Sequence, residues 1–176
     1  IKIRLNDHKY RYDVYQMFNI YFALDELKFV DDGEYIINIE ENKITFAFNG
    51  YYKESLIGEN IKEDIKRLVF ESLKDITGEE HPWGILVGIR PSKIALKYLN
   101  EGKSNEEIVE IFKEKHLAAR EKAELCIEVA KAEESFVNTD EKKIAIYVGM
   151  AFCPTRCFYC SFAANPIMGN KKMVNP

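Results

Sequence analysis

Cys153-Pro154-Thr155-Arg156-Cys157-Phe158-Tyr159-Cys160 sets three thiols in a C-x3-C-x2-C spacing, and that spacing limits what can fold around it. Three soft donors on one short loop suit three irons of a cubane iron–sulfur cluster, one thiolate to each. The fourth iron is then open to a substrate or cofactor, so such a site does chemistry, whereas a fully ligated cluster carries electrons. Two other readings stand beside this one. Structural zinc takes four ligands, commonly in two pairs, and the remaining candidates, Cys126, His8, His81 and His116, are scattered. Disulfides belong to cysteine-rich secreted scaffolds. This chain has 4 cysteines in 176 residues, and its opening residues do not read as a charged-then-apolar signal segment.

The flanks carry the argument further. Lys143-Ile144-Ala145-Ile146-Tyr147-Val148-Gly149 reads as a short buried strand, β-branched and aromatic, closed by a glycine. Met150-Ala151-Phe152 then leads into the cysteine loop, which would hang from the C-terminal end of that strand. In a parallel α/β barrel, active sites are built at that end. Phe158 and Tyr159 would shield a cluster from water and offer a surface to a flat ligand.

The segment Tyr147-Val148-Gly149-Met150-Ala151-Phe152-Cys153-Pro154-Thr155-Arg156-Cys157-Phe158-Tyr159-Cys160-Ser161-Phe162 resembles the signature of radical S-adenosylmethionine enzymes. Within that superfamily it is most similar to oxygen-independent coproporphyrinogen III oxidase-like proteins. Upstream, Trp83-Gly84-Ile85-Leu86 and Gly88-Ile89-Arg90-Pro91-Ser92-Lys93-Ile94 resemble the region before the barrel in the Gram-positive branch, the HemZ-type coproporphyrinogen dehydrogenases. Two positions depart from the wider family, which has histidine and proline where this chain has Gly149 and Ala151. Glycine fits the HemZ-type branch; alanine gives up proline's fixed backbone angle.

The resemblance implies a 4Fe–4S cluster held by Cys153, Cys157 and Cys160, with S-adenosylmethionine chelated at the open iron. An electron from the cluster would cleave the sulfonium bond, and the 5′-deoxyadenosyl radical would take a hydrogen from a propionate of coproporphyrinogen III. Loss of carbon dioxide and of one further electron leaves a vinyl group, and two such steps give protoporphyrinogen IX. Tyr147 matches a position at the cofactor end of the cluster. Phe158 and Tyr159 match the cofactor-binding stretch, where the backbone near Tyr159 meets the adenine. An electron donor such as flavodoxin or ferredoxin and a cytoplasmic location are implied as well. Similar proteins with the same loop serve as haem chaperones, and others act on different substrates, so these readings stay open here.

Sixteen residues follow Cys160, whereas a complete barrel takes about 200. The expected fold is therefore an α+β N-terminal domain (residues 1–80), a helical connecting segment (81–140), and the first strand and cluster loop of a truncated radical S-adenosylmethionine (β/α) partial TIM barrel (141–176). The second S-adenosylmethionine motif and the porphyrinogen contacts would lie outside the chain, which alone is expected to be inactive. No uncharged run approaches the roughly 18 residues of a membrane helix, so no membrane partner is expected. The net charge of -4 argues against nucleic acid. Residues 144–176 contain no Asp or Glu but do contain Arg156, Lys171 and Lys172. That basicity suits a carboxylate-rich porphyrinogen and a reduced cluster, or is balanced by acids elsewhere.

Upstream, alternation at Ile1, Ile3 and Leu5, a turn at Asn6-Asp7 and alternation at Tyr10 and Tyr12 predict a hairpin. Asp13 and Gln16 read as a capping box opening a helix with Val14, Met17, Phe18, Tyr21 and Leu24 on its apolar face. A meander follows: a strand over residues 35–39, a turn at Glu41-Asn42, a strand facing inward with Ile44, Phe46 and Phe48, then Asn49-Gly50 and a strand over 51–56. Asn60 with Glu63 caps a second helix whose stripe is Ile61, Ile65, Leu68, Val69, Leu73 and Ile76, ending near Gly78. Tyr10, Tyr12, Tyr51 and Tyr52 are read as cross-strand packing rather than a stacking platform. Pro91 opens a helix, Ser104 with Glu107 caps another, and a long helix over about 118–136 is expected to bury Leu125, Val129, Ala132 and Phe136. Cys126 is read as a small buried hydrophobe, and His8 and His116 as exposed. Arg90 is read as fixing the linker against a helix end, with a bidentate grip on a propionate as its functional alternative.

Overall fold

Lys2–Leu5 alternates exposed and buried residues, so Ile3 and Leu5 enter the core while Lys2 and Arg4 face water. This strand, β1, lies in a computed structural model that describes residues 1–136, 146–149, 152–155, 157 and 165–167. The chain divides into two compact units, Ile1–Val137 and Asn138–Pro176. The first is mixed α+β. Its strands are β1, β2 (Lys28–Phe29), β3 (Tyr35–Ile39), β4 (Lys43–Phe48) and β5 (Tyr51–Leu56). Its helices are α1 (Arg11–Tyr21), α2 (Ile61–Thr77), α3 (Pro91–Asn100), α4 (Asn105–His116) and α5 (Arg120–Glu133).

The sheet order is β2-β1-β3-β4-β5. β1 runs parallel to both β2 and β3, while β3-β4-β5 is an antiparallel meander. The hairpin expected at Asn6-Asp7 does not form, because both side chains do other work. The Asn6 amide donates to the Ile39 carbonyl (3.0 Å) and accepts from the Ile39 amide (2.9 Å), which prolongs the β1–β3 ladder by one residue. The Asp7 carboxylate accepts from Lys9 N (3.0 Å) and starts a 3-10 turn at His8–Tyr10 that runs into α1. Tyr10 and Tyr12 are therefore helical, one buried and one exposed. Asp13 is not a cap; it is buried on α1 and pairs with Lys66 of α2 at 3.5 Å.

β2 and β3 flank β1 on opposite edges, so the chain must cross β1 between Phe29 and Tyr35. Gly33 is that crossing: a Cβ there would land on the backbone of Arg4 and within 2.5 Å of Ile3 C. The meander matches the sequence expectation. Phe48 pairs with Tyr51, and Asn49 and Gly50 both take positive φ (44° and 85°), as a tight two-residue hairpin turn requires. Val14, Met17 and Phe18 of α1 and Ile65, Leu68, Val69 and Leu73 of α2 pack with Ile3, Ile37, Ile44 and Phe46 of the sheet. Leu24 lies past the end of α1 and is exposed. Asn60 gives no side-chain cap to α2, whose C-terminus ends, as expected, on left-handed Gly78. Tyr51 packs across from Phe48 and donates to Asp75 (2.7 Å), while Tyr52 donates to Glu54 (2.8 Å). The four tyrosines do not form one platform.

A second core lies among α3, α4 and α5. Pro91 opens α3. The Ser104–Glu107 capping box is made in both directions, Ser104 N to the Glu107 carboxylate (2.7 Å) and Glu107 N to Ser104 Oγ (3.3 Å). The buried side of α5 differs from the expected one. Ala123, Cys126, Ile127 and Ala130 face inward, while Leu125, Val129 and Phe136 are exposed. Two apolar stripes share this helix, and the one with the smaller side chains lets α5 approach α3 and α4 closely. Polar replacement of the outer stripe, Leu125→Gln with Val129→Gln, should shift stability by no more than about 0.5 kcal/mol per site. Ala130→Leu on the inner stripe should cost about 1–3 kcal/mol by overpacking. Thermal unfolding checks the order of the two effects.

The segment between the cores is interleaved with the end of α4. Ile85 N donates to the His116 carbonyl (2.9 Å) and Ala119 N to the Pro82 carbonyl (2.9 Å). The consecutive residues Ile85 and Leu86 enter different cores. Arg67 of α2 donates to the carbonyls of Glu114 and of Lys115 (2.9 Å), capping the C-terminus of α4 with the charge that a helix end favours.

Candidate metal centre

The cysteine loop lies in the second unit. There β6 (Phe152–Cys153) pairs in parallel with β7 (Asn165–Pro166), in the register Phe152↔Asn165 and Cys153↔Pro166. Cys153 is thus half-buried at the end of a strand, Pro154 and Thr155 form a bend, and Cys157 stands exposed beyond it. Cys153 and Cys157 are both free thiols. Cys160, Phe158 and Tyr159 lie outside the described residues.

The buried strand expected over residues 143–149 is not found in its described part. Residues 146–149 form no strand, and Ile146, Tyr147 and Val148 are more than four-fifths exposed. A buried parallel strand needs a bonded neighbour and cover on both faces. Among the described residues neither is supplied here. Tyr147 folds back on its neighbour, with Cε1 2.6 Å from where a Cβ on Gly149 would sit. A glycine at that position leaves room for the ring.

The other candidate ligands have different roles. Cys126 is buried in the helical core, where burial pushes its thiol pKa up and keeps it protonated. His81 packs edge-on against Tyr21 (4.5 Å between ring centroids) and His116 against Phe112 (5.7 Å). His8 is exposed, as expected, but His116 is half-buried, and desolvation lowers its pKa. Among the described residues, no three His, Cys, Asp or Glu side chains gather as a metal site. The four-ligand zinc alternative therefore gains no set from Cys126 and the histidines. The donor chemistry of the loop, unbridged thiols with one anchored by β6, fits a thiolate-held iron–sulfur group.

In the first unit, the Arg90 side chain does not fix the linker; the bonds from Ile85 N to the His116 carbonyl and from Ala119 N to the Pro82 carbonyl tie it to the end of α4. The Arg90 side chain is exposed and makes no ion pair or hydrogen bond among the described residues, while its carbonyl accepts from Lys93 N (3.1 Å). Reading Arg90 alone missed its neighbours. Lys93 and Lys97 share its side of α3, and the i, i+3, i+7 spacing in the sequence was the available signal.

A match of 36% identity over 112 residues, 62% of this chain, joins it to the oxygen-independent coproporphyrinogen-III oxidase-like protein HemZ of Bacillus subtilis. The chain is similar to HemZ. The match covers 22% of that relative, so this chain spans about a fifth of HemZ. No protein-family model matches the chain, and no solved structure matches it. Among the described residues, no helix is long and apolar enough to cross a membrane.

Proposed function

We propose that this chain supplies the cluster-binding loop of a radical S-adenosylmethionine enzyme of the oxygen-independent coproporphyrinogen III oxidase type. The observation that carries the proposal is the three-thiol spacing, with Cys153 and Cys157 free and unbridged. The similarity to HemZ supports the choice of chemistry. Cys153, Cys157 and Cys160 would hold three irons of a 4Fe–4S cluster, leaving the fourth for S-adenosylmethionine. When bound, these two groups supply the one-electron chemistry that converts propionates of coproporphyrinogen III to vinyl groups.

The chain's own residues bind, orient and exclude water. β6 fixes Cys153, so the loop starts from a defined point. Phe158 and Tyr159 would cover the cluster and meet the cofactor, with Tyr147 at the cofactor's end. Arg156, Lys171 and Lys172, in a stretch without acids, would favour a reduced cluster and substrate carboxylates. Flavodoxin or ferredoxin would deliver the electron in the cytoplasm, with no nucleic acid or membrane involved.

Anaerobic reconstitution with iron and sulfide tests the proposal. The wild-type chain should turn brown and take up about four irons, and Cys157→Ser should lose most of the colour and iron. Equal iron in the variant contradicts the ligand assignment. Stoichiometric haem binding with no uptake of iron and sulfide would favour a haem carrier instead.

A further inference from the structure

Two of the clefts on the first unit, both of small-molecule size, differ in how their charges are disposed. The larger, about 660 Å³, is lined by Lys53, Glu71, Lys74, Asp75, Glu80 and His81 among others. Its cations are already paired: Lys53 with Glu71 (3.0 Å) and Asp75 (3.2 Å), and Lys74 with Glu80 (2.7 Å). The second, about 570 Å³, is lined by Ile89, Arg90, Lys93, Ile94, Lys97, Tyr98 and His116, with no acidic residue. Arg90 and Lys93 have no counter-ion among the described residues. Lys97 reaches only Glu101, at 3.8 Å and largely in water, which counts for little. Lys103 adds a fourth cation, 6.0 Å from the Tyr98 ring centroid.

Arg90 at the cap of α3 and Lys93 and Lys97 within it bring together like charges that repel one another, and a bound anion relieves that cost. The N-terminal end of α3 adds to the positive potential. The Ile89, Ile94 and Tyr98 side chains give the cleft an apolar floor beneath this rim. We propose that this cleft binds an amphiphilic polycarboxylate, its apolar body on Ile89, Ile94 and Tyr98 and its carboxylates on Arg90, Lys93 and Lys97. A planar guanidinium takes a carboxylate bidentately, which makes Arg90 the strongest single contact. The choice of a tetrapyrrole as probe rests on the function proposed above; the charge pattern of the cleft does not.

The test titrates the 176-residue chain with coproporphyrin III, followed by porphyrin fluorescence polarisation. Saturable one-to-one binding is expected, equal in wild type and in Cys157→Ser, so that failure of the cluster leaves this result unaffected. Arg90→Gln with Lys93→Gln should weaken it about tenfold or more, Lys97→Gln less, and Lys62→Gln on exposed α2 surface not at all. The tetramethyl ester should not bind. Binding of the ester as tightly as the acid, or titrations unmoved by the Arg90 and Lys93 substitutions, would overturn the proposal. So would the absence of coproporphyrin binding, whether or not inorganic phosphate or a short single-stranded RNA binds through the same residues.

Discussion

Gly84→Ala is expected to lower the thermal midpoint of the first unit by roughly 6–12 °C. Gly84 has φ of +55°, and a Cβ built on it would fall on the carbonyl oxygen of His116 and within 2.5 Å of Leu117 C and O. Every one of these atoms is backbone, so no side chain can turn aside. The left-handed conformation alone costs a non-glycine residue about 1–2 kcal/mol at either position. Displacing the end of α4 adds an overpacking cost of about 1–3 kcal/mol, which brings the total near 3 kcal/mol. The same displacement would disturb the Ile85 N to His116 carbonyl bond and so the junction between the two cores. Gly78→Ala is the control. Gly78 also has positive φ, +72°, but a Cβ there meets nothing within 4 Å, so only the backbone term of about 1–2 kcal/mol applies. Equal losses at the two glycines would show that the junction tolerates displacement and that the packing at His116 contributes little.

Features of the fold that depend on local chemistry were legible in the sequence. Asn49-Gly50, the Ser104–Glu107 box, Pro91 at the start of α3 and Gly78 at the end of α2 each act within a few residues. Their elements begin and end where that chemistry places them. The partners of β1 were not legible in this way. Parallel pairing to β2 and β3 is decided by residues more than twenty positions away, and Asn6 had to choose between turning the chain and bonding to Ile39. The inner side of α5 was ambiguous for another reason. Leu125-Val129-Ala132-Phe136 and Ala123-Cys126-Ile127-Ala130 are equally periodic, and hydrophobicity favours the wrong one. Close packing against α3 and α4 selects the small side chains.

The candidate site divides in the same manner. The cysteine spacing is visible in the sequence because three thiols in eight residues are a local pattern with a chemical meaning. The surroundings of residues 146–149 are a tertiary matter, and the β-branched run there could not reveal its own exposure. Arg90 is read as fixing the linker against a helix end, but the linker is held by backbone bonds of Ile85 and Pro82 to residues 116 and 119, more than thirty positions away.

The second large effect concerns the proposed cluster, in which one iron would lack a protein ligand. A cluster whose four irons all carry protein ligands has no place for an incoming amino and carboxylate group. One held by Cys153, Cys157 and Cys160 alone has such a place. Electron paramagnetic resonance of the reconstituted, dithionite-reduced chain, recorded before and after addition of S-adenosylmethionine, reads that difference directly. A reduced 4Fe–4S signal whose shape changes on addition is expected, with loss of that signal in Cys157→Ser. A signal indifferent to S-adenosylmethionine, or a colourless chain holding one zinc per molecule, would contradict that expectation.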